Sequence, residues 1–389
     1  MLPAKRYYLP IIVLAQFAGT SLWFAGNAVI GELQAAAGGG SVALITSLVQ
    51  LGFIAGTAVF ALLTVSDRFK PSTVFFASCC VAAGANALVV PAAHDLFLVG
   101  ALRFCTGFFL AGIYPVGMKL AADWFPQKLG NALGFLVGAL VLGTAFPHLL
   151  KLPSYQLPWK GILLTTSALA FCGGLVLWLT VPSKPTVAAT RFEPKAMVAV
   201  FRSPPFRAAA FGYFGHMWEL YTFWAFLPFL LLQYNAAHSA ALNTPLWSFA
   251  VIGVGAAGCV VGGLLAQKTG SKPVAAASLA VSGACCLAAP FALQASPALF
   301  LPFLLLWGFT VVSDSPQFSS LVAQSALPQY KGTALTIVTS IGFALTIASI
   351  QVMQDLFTRS DKALWVLAIG PLAGLIALRG WKRRAAPAA

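Results

Sequence analysis

The sequence predicts an all-α integral membrane protein, with twelve transmembrane helices in two parallel six-helix repeats and both termini cytoplasmic. Three observations predict it. The 389 residues are 59% hydrophobic and only 8% charged, against about 45–50% and about 25% in soluble domains, so lipid must be the solvent for most of the chain. Twelve apolar blocks are each long enough to cross about 30 Å of hydrocarbon at about 1.5 Å per residue. One offset, 202 residues, recurs between the two halves. A soluble catalytic domain, a disordered tail and a nucleic-acid module are excluded, because the longest polar stretch is only Pro182 to Pro205.

The blocks, numbered here as spans one to twelve, lie at 7–31, 41–65, 72–91, 96–122, 128–150, 160–181, 206–233, 246–267, 273–293, 297–324, 331–354 and 362–380. Met1 to Arg6 is too short for a domain and no small-residue cleavage site follows it. Span one is therefore expected to be a retained helix and not a signal peptide. It carries Gln16, Thr20, Trp23 and Asn27 at i, i+4, i+7 and i+11, a stripe that lines a cavity or hydrogen-bonds between helices. Span two adds Gln50. In span four, steps of about 100° place Arg103, Thr106, Gly107 and Tyr114 on one stripe. Span five has Gly130, Gly134 and Gly138, a small-residue ladder suited to close helix packing.

The polar stretch 182–205 reads as a cytoplasmic linker between an N-terminal half, 1–181, and a C-terminal half, 206–389. In span seven His216 and Glu219 are spaced i, i+3 and share a face with Phe223, while Trp218 and Tyr221 turn toward neighbouring helices. Span ten places Thr310, Asp314 and Gln317 at i, i+4 and i+7, with Pro316 freeing a backbone carbonyl among them. Span eleven supplies Gln351.

Charge placement sets the orientation. Of 23 Lys and Arg residues, 18 fall at the N-terminus, the C-terminus and the loops and helix ends on the same side, which the positive-inside rule assigns to the cytoplasm. The formal net charge of +14 is then an orientation signal with some attraction to anionic lipid, and implies no nucleic-acid partner. All seven cysteines lie within spans, so no disulfide framework is expected, and the adjacent pairs Cys79-Cys80 and Cys285-Cys286 read as small apolar filler.

The repeat is visible in motifs. Pro126-Gln127-Lys128-Leu129-Gly130-Asn131-Ala132-Leu133 returns as Pro328-Gln329-Tyr330-Lys331-Gly332-Thr333-Ala334-Leu335, 202 residues later. Lys70-Pro71 returns as Lys272-Pro273 at the same offset, and the prolines Pro115 and Pro316 lie 201 apart. Because six is even, the halves share an orientation and are related by an axis along the membrane normal. That arrangement puts a solute site between halves near the midplane of a rocking transporter.

The two six-helix halves, the Asp67-Arg68-Phe69-Lys70 turn after span two, Arg103-x-x-x-Gly107 in span four and the span-five glycines together resemble the Major Facilitator Superfamily over the whole chain. The stretch Ala61 to Lys70 keeps the Asp-Arg and the later base of the family's loop motif but lacks its glycines. Gly212 to Tyr221 is similar to a bacterial branch loosely labelled nitrate or cyanate porters. The glycine-dense nitrate signature is missing from spans five and eleven, so nitrate is not carried over. The resemblance implies a role for Arg103 near proton coupling or substrate-anion binding. It also implies a conformational latch made of Asp67, Arg68 and Asp123, for which a solvated helix-end cluster is the competing reading.

A charge in the hydrocarbon costs at least about 2.5–3.5 kcal/mol, so Arg103, Glu219 and Asp314 are functional candidates. Arg103 suits bidentate contact with an oxyanion, or a fixed ion pair that locks two helices. His216 beside Glu219 could exchange a proton, or form a satisfied hydrogen bond within the half. The leading expectation is a proton-coupled secondary transporter of a small polar or amphipathic solute, with Arg103, His216, Glu219 and Asp314 in coupling. A competing expectation is an organic-anion uniporter or exchanger with Arg103 as clamp; a membrane receptor that does not transport is a third, from another class. No enzyme, cofactor, metal or nucleotide energy source is expected: His216 and Met217 are adjacent and point about 100° apart, and no P-loop is present. The expected partners are a small-molecule substrate, protons and the lipid bilayer. A monomer in the cell membrane, the inner membrane of a bacterium, suffices.

Overall fold

A computed structural model of the chain describes residues 5–36, 42–125, 129–155, 157–183, 201–326, 331–357 and 359–380, and among them it is helical with no strand. Ten helices among the described residues are long and apolar enough to cross a membrane, and they are spans two to six and eight to twelve. The other two expected spans take different forms. Span one is broken into helices Tyr8–Thr20, Ala25–Ala28 and Ile30–Ala36. Span seven is a single helix, Pro204–His238, of 35 residues, with its overall hydropathy lowered by His216, Glu219 and several Trp and Tyr residues.

Two of the three breaks have a proline beside them, and the third has hydroxyls bonded back to the chain. In span one the hydroxyls of Thr20 and Ser21 bond back to the carbonyls of Gln16 at 2.8 Å and Ala18 at 2.7 Å, and such back-bonding competes with the helical ladder. Span four divides into Leu96–Leu110 and Tyr114–Trp124. Pro115 opens the second segment and has no N–H to return to the Ala111 carbonyl. Span ten divides at Asp314 into Pro297–Ser313 and Ser315–Ser325. There Pro316 leaves the Val312 carbonyl without its helical donor, and the Cys259 thiol donates to it at 3.4 Å. The expected freed carbonyl is real, and it is answered from span eight.

Two compact units emerge from the contacts: residues 1–189 with 223–257, and residues 190–222 with 258–389. Within the first, span two packs along span four, span three along spans four and six, and span one along spans five and six. Ala25, Val29 and Leu33 of span one close one end of this unit with Val89, Val99, Leu150 and Leu163. In the second, span nine packs on spans ten and twelve. Large apolar side chains such as Leu14, Phe97, Leu179, Phe291, Leu299 and Ile376 are exposed; in lipid such a surface is solvated, whereas in water it would be an aggregation hazard.

Glycines show that the repeat extends to packing detail. A Cβ on Gly56 would strike the carbonyl of Phe108 in span four, and a Cβ on Gly258 would strike the carbonyl of Phe309 in span ten. Those pairs are offset by 202 and 201 residues, so spans two and four meet as spans eight and ten do. Gly56→Leu and Gly258→Leu are each expected to lower the thermal midpoint of the purified protein by a cost of at least about 1–3 kcal/mol, since backbone cannot step aside. Gly84→Ala, where a Cβ meets nothing within 4 Å, is the control and should be neutral or mildly stabilising. Equal effects at all three positions would contradict the packing argument. In span five the tight approach falls at Gly143, whose Cβ would meet Thr20 of span one, whereas a Cβ on Gly138 would sit 3.4 Å from the Ala256 carbonyl. Of the expected ladder, Gly138 thus makes an ordinary contact, and Gly130 lies outside the described side-chain positions.

Candidate functional site

Each unit holds a buried polar centre, and each is assembled from the first, third and fourth helix of its repeat. In the first unit Arg103 of span four is fully buried. Its Nη1 donates to the Leu22 carbonyl at 3.2 Å and to Asn86 Oδ1 at 3.0 Å, and its Nη2 donates to the Trp23 carbonyl at 2.6 Å. Leu22 and Trp23 lie in the break of span one, where carbonyls are open to an outside donor. Gly26 makes room: a Cβ there would come within 3.1 Å of Arg103 Nε. Asn86 Nδ2 in turn donates to the Leu163 carbonyl and Ser167 Oγ, each at 3.0 Å, and to Thr166 Oγ1 at 3.3 Å. The network thereby ties spans one, three, four and six. The arginine does lock helices together, but through neutral oxygens and not as the ion pair expected as one alternative. The physical reason is that a broken helix offers carbonyl dipoles where an intact one offers none.

In the second unit Glu219 of span seven is buried. Its Oε1 accepts from Trp307 Nε1 at 2.6 Å and from Cys286 Sγ at 3.2 Å, and its Oε2 accepts from Ser282 Oγ at 2.9 Å. All three partners can donate, which matches a carboxylate in size and hydrogen-bonding capacity. His216 does not pair with Glu219. Its Nδ1 lies 2.8 Å from Asp314 Oδ1, both side chains buried, in an ion-pair contact that lacks the alignment of a hydrogen bond. The i, i+3 spacing predicts a shared face for His216 and Glu219, yet each reaches a different helix: Glu219 goes to spans nine and ten, His216 to the break in span ten. Cys286 is likewise more than filler, since its thiol is one of three donors to Glu219.

The other expected site residues fall as follows. Gln16, Thr20, Trp23, Asn27, Gln50, Thr310 and Gln317 are all buried. The regular stripe expected along span one does not persist, because the turn at residues 21–24 resets the angle between Thr20 and Asn27. Asn27 Nδ2 donates to Thr46 Oγ1 of span two at 2.6 Å, and the Trp23 ring stands 4.8 Å from Phe53 of the same span. Tyr114 begins the second segment of span four and is half-buried, off the Arg103 stripe for the same reason. Thr310 turns back to the Leu306 carbonyl at 2.9 Å. Gln351 is exposed. Of the latch, Arg68 is exposed and Asp123 half-buried, while the Asp67 side chain lies outside the described positions. Trp218 and Tyr221 do turn to neighbours: Trp218 Nε1 donates to the Val366 carbonyl at 3.0 Å, and Tyr221 packs 5.1 Å from Phe343.

Sequence reasoning missed Asn86, Ser282, Cys286 and Trp307. Asn86 was detectable as a lone amide in an apolar span. The other three carry no such signal, because serine, cysteine and tryptophan are ordinary in membrane helices. No group of three or more metal-ligating side chains occurs among the described residues.

Comparison with known proteins bears on the whole chain. A search by sequence among proteins of curated function finds no match. Among solved structures the fold is similar to the human organic anion transporter MFSD10 (TETRAN), with a TM-score of 0.74 at 15% identity, over 97% of this chain and 100% of that one. It is also similar to the E. coli fucose:proton symporter FucP, with a TM-score of 0.67 at 16% identity, over 98% of this chain and 100% of that one. A family model described as Major Facilitator Superfamily matches residues 9–350, from span one to the last turns of span eleven. The broken helices, the glycine contacts repeated at one offset and a family match over most of the length lead to one conclusion: the chain belongs to the Major Facilitator Superfamily.

Proposed function

We propose that this protein is a proton-coupled secondary transporter that moves a small polar or amphipathic solute by alternating access. The observation that carries the reading is the His216–Asp314 contact, an imidazole and a carboxylate 2.8 Å apart and buried at the break of span ten. Ionisable groups are retained in such a place at a cost, and a helix break gives them a route to rearrange. With one proton the pair is neutral and with two it carries a single positive charge, so a change in access can trade a proton. Glu219 adds a second titratable group in the same unit. The cytoplasmic termini read from the Lys and Arg placement, the 1–181 and 206–389 halves, the monomer and the bacterial inner membrane belong to the same proposal.

The competing reading, an anion clamp at Arg103, is weaker. Three of the five guanidinium donors are already committed to Leu22, Trp23 and Asn86, and an anion gripped by both terminal nitrogens would have to displace them.

The test uses the purified protein in proteoliposomes loaded with a pH-sensitive dye. A solute is first found by thermal shift against anionic, cationic, zwitterionic and neutral metabolites, since a ligand that binds the folded state raises its stability. Adding that solute outside should change the lumenal pH in the wild type, acidifying it for symport and alkalinising it for antiport. Asp314→Asn is expected to abolish accumulation against a gradient, a loss of at least about tenfold, about 1.4 kcal/mol of driving force, while exchange down a gradient persists. Equal loss of accumulation and exchange would remove Asp314 from coupling.

A further inference from the structure

The first unit contains polar atoms that its own fold leaves unanswered. Both amide atoms of Gln16, both of Gln50 and the Oδ1 of Asn27 are buried without a hydrogen-bonding partner. Buried amides are nearly always paired, because an unpaired one pays its full desolvation cost, so several in one unit call for a reason. Asn27 and Gln50 also share a neighbourhood on the helices, and Gln16 lies farther along span one. Asn27 contacts Thr46, one turn before Gln50 on span two, and Trp23 packs on Phe53, one turn after it. Gln16 lies on the same span as Asn27 and Trp23, with its Oε1 against Gly117 of span four.

The charged groups nearby are in the opposite condition. Arg103 donates from both terminal nitrogens to Leu22, Trp23 and Asn86, and in the second unit both oxygens of Glu219 accept from Ser282, Cys286 and Trp307. In the first unit the fixed charge is thus held by the fold through its terminal nitrogens, whereas neutral donors and acceptors stand open; the His216–Asp314 pair, also without aligned hydrogen bonds, lies in the second unit. An amide presents a donor and an acceptor side by side, which complements a group that also does both. A hydroxyl and an amide edge do so; a carboxylate accepts only and an ammonium donates only.

From this we infer that the solute is uncharged and is recognised in the first unit by Gln16, Gln50 and Asn27 through hydroxyl or amide groups, with Trp23 and Phe53 as an apolar wall. The inference rests on the transporter reading and narrows its substrate class. Buried water is the competing occupant of the same atoms, and the test separates the two.

The purified full-length chain is screened by thermal shift with three probe sets: neutral monosaccharides, polyols and nucleosides; succinate and benzoate; choline and tetraphenylphosphonium. Stabilising shifts are expected in the neutral set, with binding weakened about tenfold or more in Gln50→Met and Gln16→Met. Those variants should themselves melt higher in the absence of solute, because an apolar side chain of similar size replaces an unpaired amide. Gln50→Asn, which keeps the amide but withdraws it by one methylene, provides a second arm should a methionine variant fail to express. Shifts confined to charged probes, or no shift from any neutral probe, overturn the inference. Neutral hits that survive both methionine substitutions also overturn it and assign the amides to water. The two readings fail separately: a charged solute that exchanges across proteoliposomes sinks only the substrate class, whereas a stabilising solute that never crosses sinks the transporter.

Discussion

Arg103→Met is expected to destabilise the protein more than any other single substitution in its first unit. The methionine approximates the aliphatic stem but removes the donors to the Leu22 and Trp23 carbonyls and to Asn86 Oδ1, all buried. Hydrogen bonds to a charged group contribute about 1.5–3 kcal/mol each, and every acceptor left unpaired costs about 1–3 kcal/mol. Relief from burying a cation offsets part of this. A net loss of several kcal/mol remains, which is a large share of the roughly 5–15 kcal/mol that holds a typical domain. The measurement is the fraction of monodisperse protein surviving a temperature series in size-exclusion chromatography. Arg103→Lys should recover only part of the midpoint, since an ammonium lacks the planar fork that reaches two helices at once. Because Asn86 belongs to the same network, Arg103→Met combined with Asn86→Leu should cost less than the two separately. An Arg103→Met protein with an unchanged midpoint would mean that the span-one break does not depend on this side chain.

Glu219→Gln is expected to leave the fold intact and to abolish uphill transport. The glutamine Oε1 can keep the contacts to Trp307 and Cys286, and its Nε2 can turn to Ser282, whose hydroxyl accepts as readily as it donates. Only the second Nε2 hydrogen is then left without one of these partners, so the thermal midpoint should fall by no more than about 1–3 kcal/mol. Glu219→Leu, by contrast, strands the Trp307 indole N–H and the Ser282 hydroxyl and should melt distinctly lower. What Gln cannot do is change charge. Accumulation driven by an imposed proton gradient should therefore disappear in Glu219→Gln while counterflow of the same solute continues. Full accumulation in this variant would exclude Glu219 from coupling and leave His216 and Asp314 as its sole bearers.

Arg103 and Glu219 also show how far a sequence can be read. Both stand out without any structure, because an ionisable side chain in the middle of an apolar block is costly enough to need a purpose. Their partners do not stand out. Arg103 is held by two main-chain carbonyls, and a carbonyl has no identity in a sequence until a helix breaks and exposes it. Glu219 is held by a serine, a cysteine and a tryptophan drawn from two other helices, residue types that are common in any span. The helical wheel placed His216 next to Glu219, and on one helix they are neighbours. It has no coordinate for span ten, from which Asp314 supplies a contact that span seven lacks.

The turns at residues 21–24 and 111–113 and at Asp314 mark a further limit. Angular stripes are valid only while about 100° per residue holds, and each break resets the phase. Thus Tyr114 left the Arg103 stripe. Pro115 and Pro316 stand at two of these breaks, whereas no proline gives notice of the one in span one.

The sequence by itself determined the solvent, the duplication and the helices that bear charge, because hydropathy, a constant offset of 202 residues and a rare residue type are properties of the chain in one dimension. Only the tertiary structure decided which charges are answered and which amides are not. Hydrogen bonds in lipid are set by which helices meet and where they break, and the partners lie as far as 148 residues apart, as Val366 does from Trp218.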